Sequence, residues 1–285
     1  MPLFLLNTGP RPRRRWLLPL LLLTLLSGPL AAQHDRRYWE ADGDSLRRVL
    51  DTQRTDTARL RTLEHLFDVG GYKSDADYEA LNQEQVQLAR RLRRPDARAL
   101  QLFQEYTQLF KAKEPDPAVQ LKRLQACIEA FDSVGRPIPN VLAAAGFLFR
   151  KLNQTEEQLT YFQAKLAQYQ ARGTRENICR CHHALGAPFV YRGDYNQAIS
   201  HYLHAADIAA TYDRGFQENE LKVVGTYYAE WGNTAKALYY LRQSLAVHQP
   251  QSSHRNSLEY TYRGIAQAYR QLHNYPAALR YARLS

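Results

Sequence analysis

Apolar residues in the C-terminal half of the chain recur three and four positions apart, in runs separated by short polar breaks that carry Gly, Asn or Asp. That spacing lines one face of an α-helix. Between Cys179 and Arg214, Leu185, Gly186 and Phe189 share a face of a first helix, and Ala198, Tyr202, Ala205 and Ala209 share a face of a second. Between the two, Arg192-Gly193-Asp194 supplies a glycine stop and an aspartate N-cap, with Gln197 placed to close a capping box. Asn153 with Glu156 reads as the same start signal one unit earlier, and Asn233 and Asn274 occupy the slot in later units.

The pattern repeats at a fixed interval. Gly146, Gly186 and Gly225 lie 40 and 39 residues apart, and Ala266 takes the glycine's place 41 residues later. Self-similarity at such a period predicts stacked helical hairpins. Gly186 and Ala198 let paired helices approach closely, while Phe189 and Tyr202 fill the space between hairpins. Upstream the pattern weakens. Thr57 to Phe67 and Ser74 to Leu92 predict one hairpin, joined by the stop Val69-Gly70-Gly71, and Ala99 to Lys111 with Asp116 to Phe131 predict another. The expected architecture is all-α, with two degenerate hairpins over residues 57–135, four repeats over 136–285, the last incomplete, and about six hairpins in all. Pro188, inside a first helix, breaks the local rule and predicts a kink.

Leu185, Gly186, Phe189, Gly193, Tyr195, Ala198, Tyr202 and Ala205 together resemble the tetratricopeptide repeat. Gly225, Tyr228, Gly232 and Ala237 follow the same pattern, as do Tyr269, Tyr275 and Ala278, and Phe149 and Phe162 carry it in an earlier unit, where Gln158 replaces the expected alanine. A period near 40 instead of about 34 corresponds to the long-helix variant. The resemblance implies a right-handed superhelical solenoid whose first helices line a concave groove for an extended peptide or a helix. The groove-facing slots fall on Asn140, Phe147 and Arg150; on Arg180 and His183; on Asn219, Lys222 and Thr226; and on Tyr260, Arg263, Gln267 and Arg270. These slots hold five permanent cations and no carboxylate. Such a strip suits an acidic peptide or a free carboxylate; the same residues also suit the solvated faces of amphipathic helices.

Ahead of the repeats, Arg11, Arg13, Arg14 and Arg15 precede an apolar run from Trp16 to Leu26 and a small-residue exit ending at Ala31-Ala32. This reads as a secretory signal over residues 1–32, followed by a lead-in over 33–56, and it predicts an exported, periplasmic or extracytoplasmic protein. Pro19 and Gly28-Pro29 leave the run short of a clean membrane anchor, and Val141 to Phe149 is too short to span a bilayer. The chain stops inside the second helix of its last repeat, so either it is a fragment or another segment covers that face. Exported arrays of this style resemble the sensory regions of bacterial histidine kinases and related regulators. A free-standing scaffold for envelope or secretion machinery is the alternative.

The net charge of +10 falls to +6 once the four signal arginines are set aside, which is too moderate to suggest nucleic acid. Arg90, Arg91, Arg93 and Arg94 cluster at a helix end, where the macrodipole favours cations. Nineteen tyrosines against one methionine fit aromatic packing between helices. Cys179-Arg180-Cys181-His182-His183 invites a metal reading, but a structural zinc site needs four converging ligands and no second cluster supplies them. A disulfide from Cys127 to one of the pair would have to span neighbouring hairpins. Glu64-His65 has the form of a phosphoacceptor but suits a half-buried helix face. No catalytic set and no phosphate loop stands out, so the sequence predicts a binding protein without metal or cofactor rather than an enzyme.

Overall fold

The computed structural model describes residues 43–68, 73–109, 116–248 and 257–285, so the expected signal segment lies outside the described residues, as does the stop at Val69-Gly70-Gly71. Among the described residues there are thirteen α-helices and no strand. They are α1 (Gly43–Thr52), α2 (Asp56–Asp68), α3 (Asp75–Arg91), α4 (Ala97–Leu109), α5 (Pro117–Ser133), α6 (Pro139–Lys151) and α7 (Thr155–Arg172). After them come α8 (Arg175–Tyr191), α9 (Tyr195–Ala209), α10 (Arg214–Glu230), α11 (Thr234–Val247), α12 (Ser257–Gln271) and α13 (Tyr275–Ala282). Each helix packs on the next in chain order, the arrangement of a helical solenoid, and α6 also meets α8 as α10 meets α12. Helix α1 occupies the segment read as a lead-in and buries Leu46 and Leu50.

The turns explain why the spacing is so regular. Asn153, Gly193, Gly232 and His273 all adopt the left-handed conformation, with φ of 56°, 76°, 78° and 55°. In each turn the next residue's amide returns to a carbonyl five back, as in Asp194 N to Phe189 O at 2.9 Å and Asn233 N to Tyr228 O at 2.8 Å. Glycine at two of these slots removes the Cβ penalty of that conformation. The next residue then caps the following helix: Asp194 accepts from Gln197 N, Asn233 from Lys236 N and Asn274 from Ala277 N. Asn153 departs from its expected role. It fills the turn slot rather than the cap, Gln154 caps α7 without a side-chain bond, and Glu156 reaches Arg192 of the next turn, which donates from Nε at 2.9 Å.

The two departures from the repeat pattern belong together. Pro188 has no N–H to give the carbonyl of Ala184, four residues earlier in α8. Buried Gln158 of α7 fills the vacancy, its Nε2 donating to Ala184 O at 2.7 Å. The residue that replaces the expected alanine thus satisfies the acceptor that the misplaced proline orphans, and α8 runs unbroken from Arg175 to Tyr191.

Two buried ionic clusters pin hairpins that sequence reading left weakly matched. Asp96 accepts from Arg94 Nε at 3.1 Å and from Arg136 Nη1 at 2.6 Å, and Arg136 also pairs with Glu64 at 3.1 Å. Burial opposes the Asp96 charge, yet the hydrogen bonds from Arg94 and Arg136 hold its carboxyl below the usual range. Glu64 is therefore committed to this cluster rather than exposed as part of a phosphoacceptor. Further on, Lys165 of α7 lies 2.7 Å from Asp132 and 2.6 Å from Glu129 of α5, and Tyr169 donates to Asp132 at 2.8 Å.

Candidate functional site

The groove residues named from the repeat register fall on α6, α8, α10 and α12, the helices that open successive hairpins. Phe147 is 57% exposed on α6 beside exposed Asn140 and half-buried Arg150. On α8, the Arg180 guanidinium stacks 3.7 Å above the ring centre of Phe216 from α10. His183 lies edge-on to the same ring, and its Nδ1 is 3.0 Å from both carboxylate oxygens of Glu220. Asn219 Nδ2 donates to that carboxylate at 3.0 Å. Arg180, His183 and Asn219 therefore meet around Phe216 and Glu220.

A second group forms between α10 and α12. The Lys222 ammonium lies 5.7 Å from the ring centre of exposed Tyr260, and the Arg263 guanidinium lies 5.1 Å from it. Burial pulls the Lys222 pKa below its ordinary value, against the opposing pull of Glu218 and Glu220. Arg263 also pairs with Glu259 on its own helix. Thr226 spends its hydroxyl on the Lys222 carbonyl at 3.0 Å, while Gln267 and Arg270 are exposed further along α12. Arg150 reaches the first group only through its charge on Tyr202, whose ring is edge-on to His183.

The strip is less purely cationic than its slots suggested. Glu218 and Glu220 are fully buried, and their charges act on Lys222. Glu218 bonds His248 Nδ1 at 2.9 Å through its carboxylate, and its backbone carbonyl accepts from Ser244 at 3.0 Å. Sequence reading missed both acids because it followed only the groove-facing slots. The readable signal was Glu218 and Lys222 four apart on one helix.

The Cys-Arg-Cys-His-His run disperses instead of converging. Cys179 packs with Ala205, Ala209 and Phe216 and donates to Ala205 O at 3.3 Å. All three cysteines are free and buried, so no disulfide joins Cys127 to the pair. Burial pushes the thiols of Cys127 and Cys179 up to about 12 and that of Cys181 higher still. Among the described residues, no group of three or more His, Cys, Asp or Glu side chains is placed to hold a metal ion, and no helix is long and apolar enough to cross a membrane.

An open apolar groove of about 510 Å³ runs along α11, lined by Leu238, Tyr239, Arg242 and Leu272 among others, and none of the expected groove residues lines it. No protein-family model matches the chain, and a search of curated proteins finds no match.

Proposed function

We propose that this chain is a tetratricopeptide-like, right-handed array of six hairpins that recognises a protein or peptide segment along the face formed by α6, α8, α10 and α12. It acts by binding rather than catalysis, as the exported sensory or adaptor region of a signal-transduction protein. The observation that carries the reading is the pair of cation–aromatic groups on that face: Arg180 on Phe216, and Lys222 with Arg263 on Tyr260. A cation held over a ring is pre-positioned, so a carboxylate arriving from solvent meets donors already in place. The partner is accordingly an acidic segment or one ending in a free carboxylate.

The test uses exposed cations, because Lys222→Glu would set a third carboxylate beside buried Glu218 and Glu220 and unfold the site for reasons unrelated to binding. Binding of a fluorescent glutamate-rich peptide is followed by anisotropy in wild type and in the Arg263→Gln/Arg270→Gln double variant. Affinity should fall about tenfold or more in the variant with an unchanged Tm, and should weaken with salt in the wild type. Equal affinity in the two proteins refutes the reading. Export rests on the arginine-led apolar segment, and mass spectrometry of the secreted chain's N-terminus tests it.

A further inference from the structure

Three imidazoles join α8 to α9 and take no part in the groups described above. Nδ1 of buried His182 on α8 lies 2.9 Å from Nδ1 of His201 on α9. His204, one turn further along α9, stacks on His182 with ring centres 5.1 Å apart, and Phe189 lies flat against His201 at 5.2 Å. His204 itself is held by its Nδ1 on the Ser200 carbonyl at 2.8 Å. Two facing ring nitrogens share a hydrogen bond only while one carries a proton and the other keeps its lone pair. With both protonated, N–H meets N–H and two cations face each other. The rings of His182 and His204 are tilted by only 24°, and rings stacked so nearly parallel do not aim their lone pairs at one ion.

We propose that His182 of α8 and His201 of α9, with His204 stacked on His182, form an acid-sensitive latch, which holds α8 to α9 while the facing pair is neutral and releases that hairpin when the pair is protonated. No carboxylate is among the groups whose charge acts there: His201 and His204 act on His182, and His204 acts on His201. The acids and bases of the neighbouring helices are engaged elsewhere. Lys165 of α7 and Asp132 of α5 bear on Cys181, Glu220 of α10 bonds His183, and neither Arg150 nor Lys151 of α6 acts on the two rings.

Burial first, then the two neighbouring rings, pulls His182 down to about 4; burial and His204 lower His201 as well. A histidine whose folded value lies below its unfolded one, about 6.5, contributes its full stability above pH 6.5. That contribution drains away as the pH falls from there toward 4. For His182 alone, the opening constant of the hairpin rises roughly thirtyfold between pH 7.5 and 5. The latch stands whether or not the inner face binds a peptide, although α8 carries both Arg180 and His183.

The test is native-state hydrogen exchange of α8 and α9 amides in the full chain at pH 7.5 and 5, corrected for intrinsic exchange rates. It compares wild type with His182→Gln/His201→Gln, whose amides keep a donor facing an acceptor but do not titrate. The wild-type opening constant should rise about thirtyfold and that of the variant should stay level. An equal rise in both proteins overturns the latch. Nitrogen-15 chemical shifts of the imidazole rings give a second reading that needs no variant. His182 should stay neutral well below pH 6, and an ordinary titration near 6.5 overturns the proposal equally.

Discussion

The three evenly spaced glycines look alike in sequence, and the structure predicts that they respond to alanine in opposite directions. A Cβ at Gly186 would lie 2.3 Å from Cζ of Tyr202 and within 2.6 Å of two further ring atoms. That ring cannot retreat freely: Tyr202 is 4% exposed, stacked on Tyr227 at 5.7 Å and edge-on to His183 at 5.9 Å. Alanine gains about 1 kcal/mol of helix propensity. Against this stands overpacking of about 1–3 kcal/mol, or 3–5 kcal/mol if the ring is expelled. A Cβ 2.3 Å from Cζ leaves no room for the ring where it stands, so the larger cost applies; less the propensity gain, Gly186→Ala should lose about 2–4 kcal/mol and lower Tm by roughly 5–15 °C. At Gly146 the nearest atom is Ala184 Cβ at 3.5 Å, an ordinary contact, so Gly146→Ala should be neutral or gain up to about 1 kcal/mol. Gly225→Ala should also destabilise, though less, because its nearest atom, Leu241 Cγ, lies at 2.7 Å rather than 2.3 Å but belongs to a fully buried side chain that also packs against Gly264. Thermal and urea unfolding followed by circular dichroism, with Gly186→Ala/Tyr202→Leu as the coupling control, reads all of this. Equal shifts for Gly146→Ala and Gly186→Ala, or no coupling in the double variant, would refute the steric reasoning.

Further predictions concern the polar core. Gln158→Ala strands the Ala184 carbonyl and should cost about 1–3 kcal/mol in urea unfolding. Adding Pro188→Ala restores a backbone donor and should recover much of that loss, whereas strictly additive effects would separate the two residues. Asp96→Asn breaks the cluster with Arg94 and Arg136 and should cost about 3 kcal/mol at pH 7. Because the folded Asp96 carboxyl titrates below its unfolded range, its contribution is full above pH 4 and lost as the pH falls further. The gap between wild type and Asp96→Asn should accordingly close in acid, and a gap of constant size from pH 7 to pH 3 would contradict the assignment.

Much of the helical layout was legible beforehand, because helix boundaries here depend on neighbours in sequence. Asp194, Asn233 and Asn274 cap the helices they were expected to cap, through bonds spanning only three residues. Asn153 misled for a local reason: asparagine serves as an N-cap and also tolerates the left-handed turn, and only the backbone distinguishes the two. The candidate site was less legible. Its slots were placed by register, but Glu220, which draws His183 and Asn219 together, lies outside the slots that register selects.

By itself, then, the sequence determined that the chain is helical, where most helices start and stop, and which of them recur at a 40-residue spacing, since periodicity and capping are short-range effects. Tertiary structure alone decided the partners that lie some 16 to 40 residues apart. It matched Gln158 to the carbonyl freed by Pro188, set Gly186 against Tyr202 while leaving Gly146 in open contact, and brought His182 to His201. Those pairings depend on how one helix lies across another, and a shift of one residue along either would give each side chain a different neighbour.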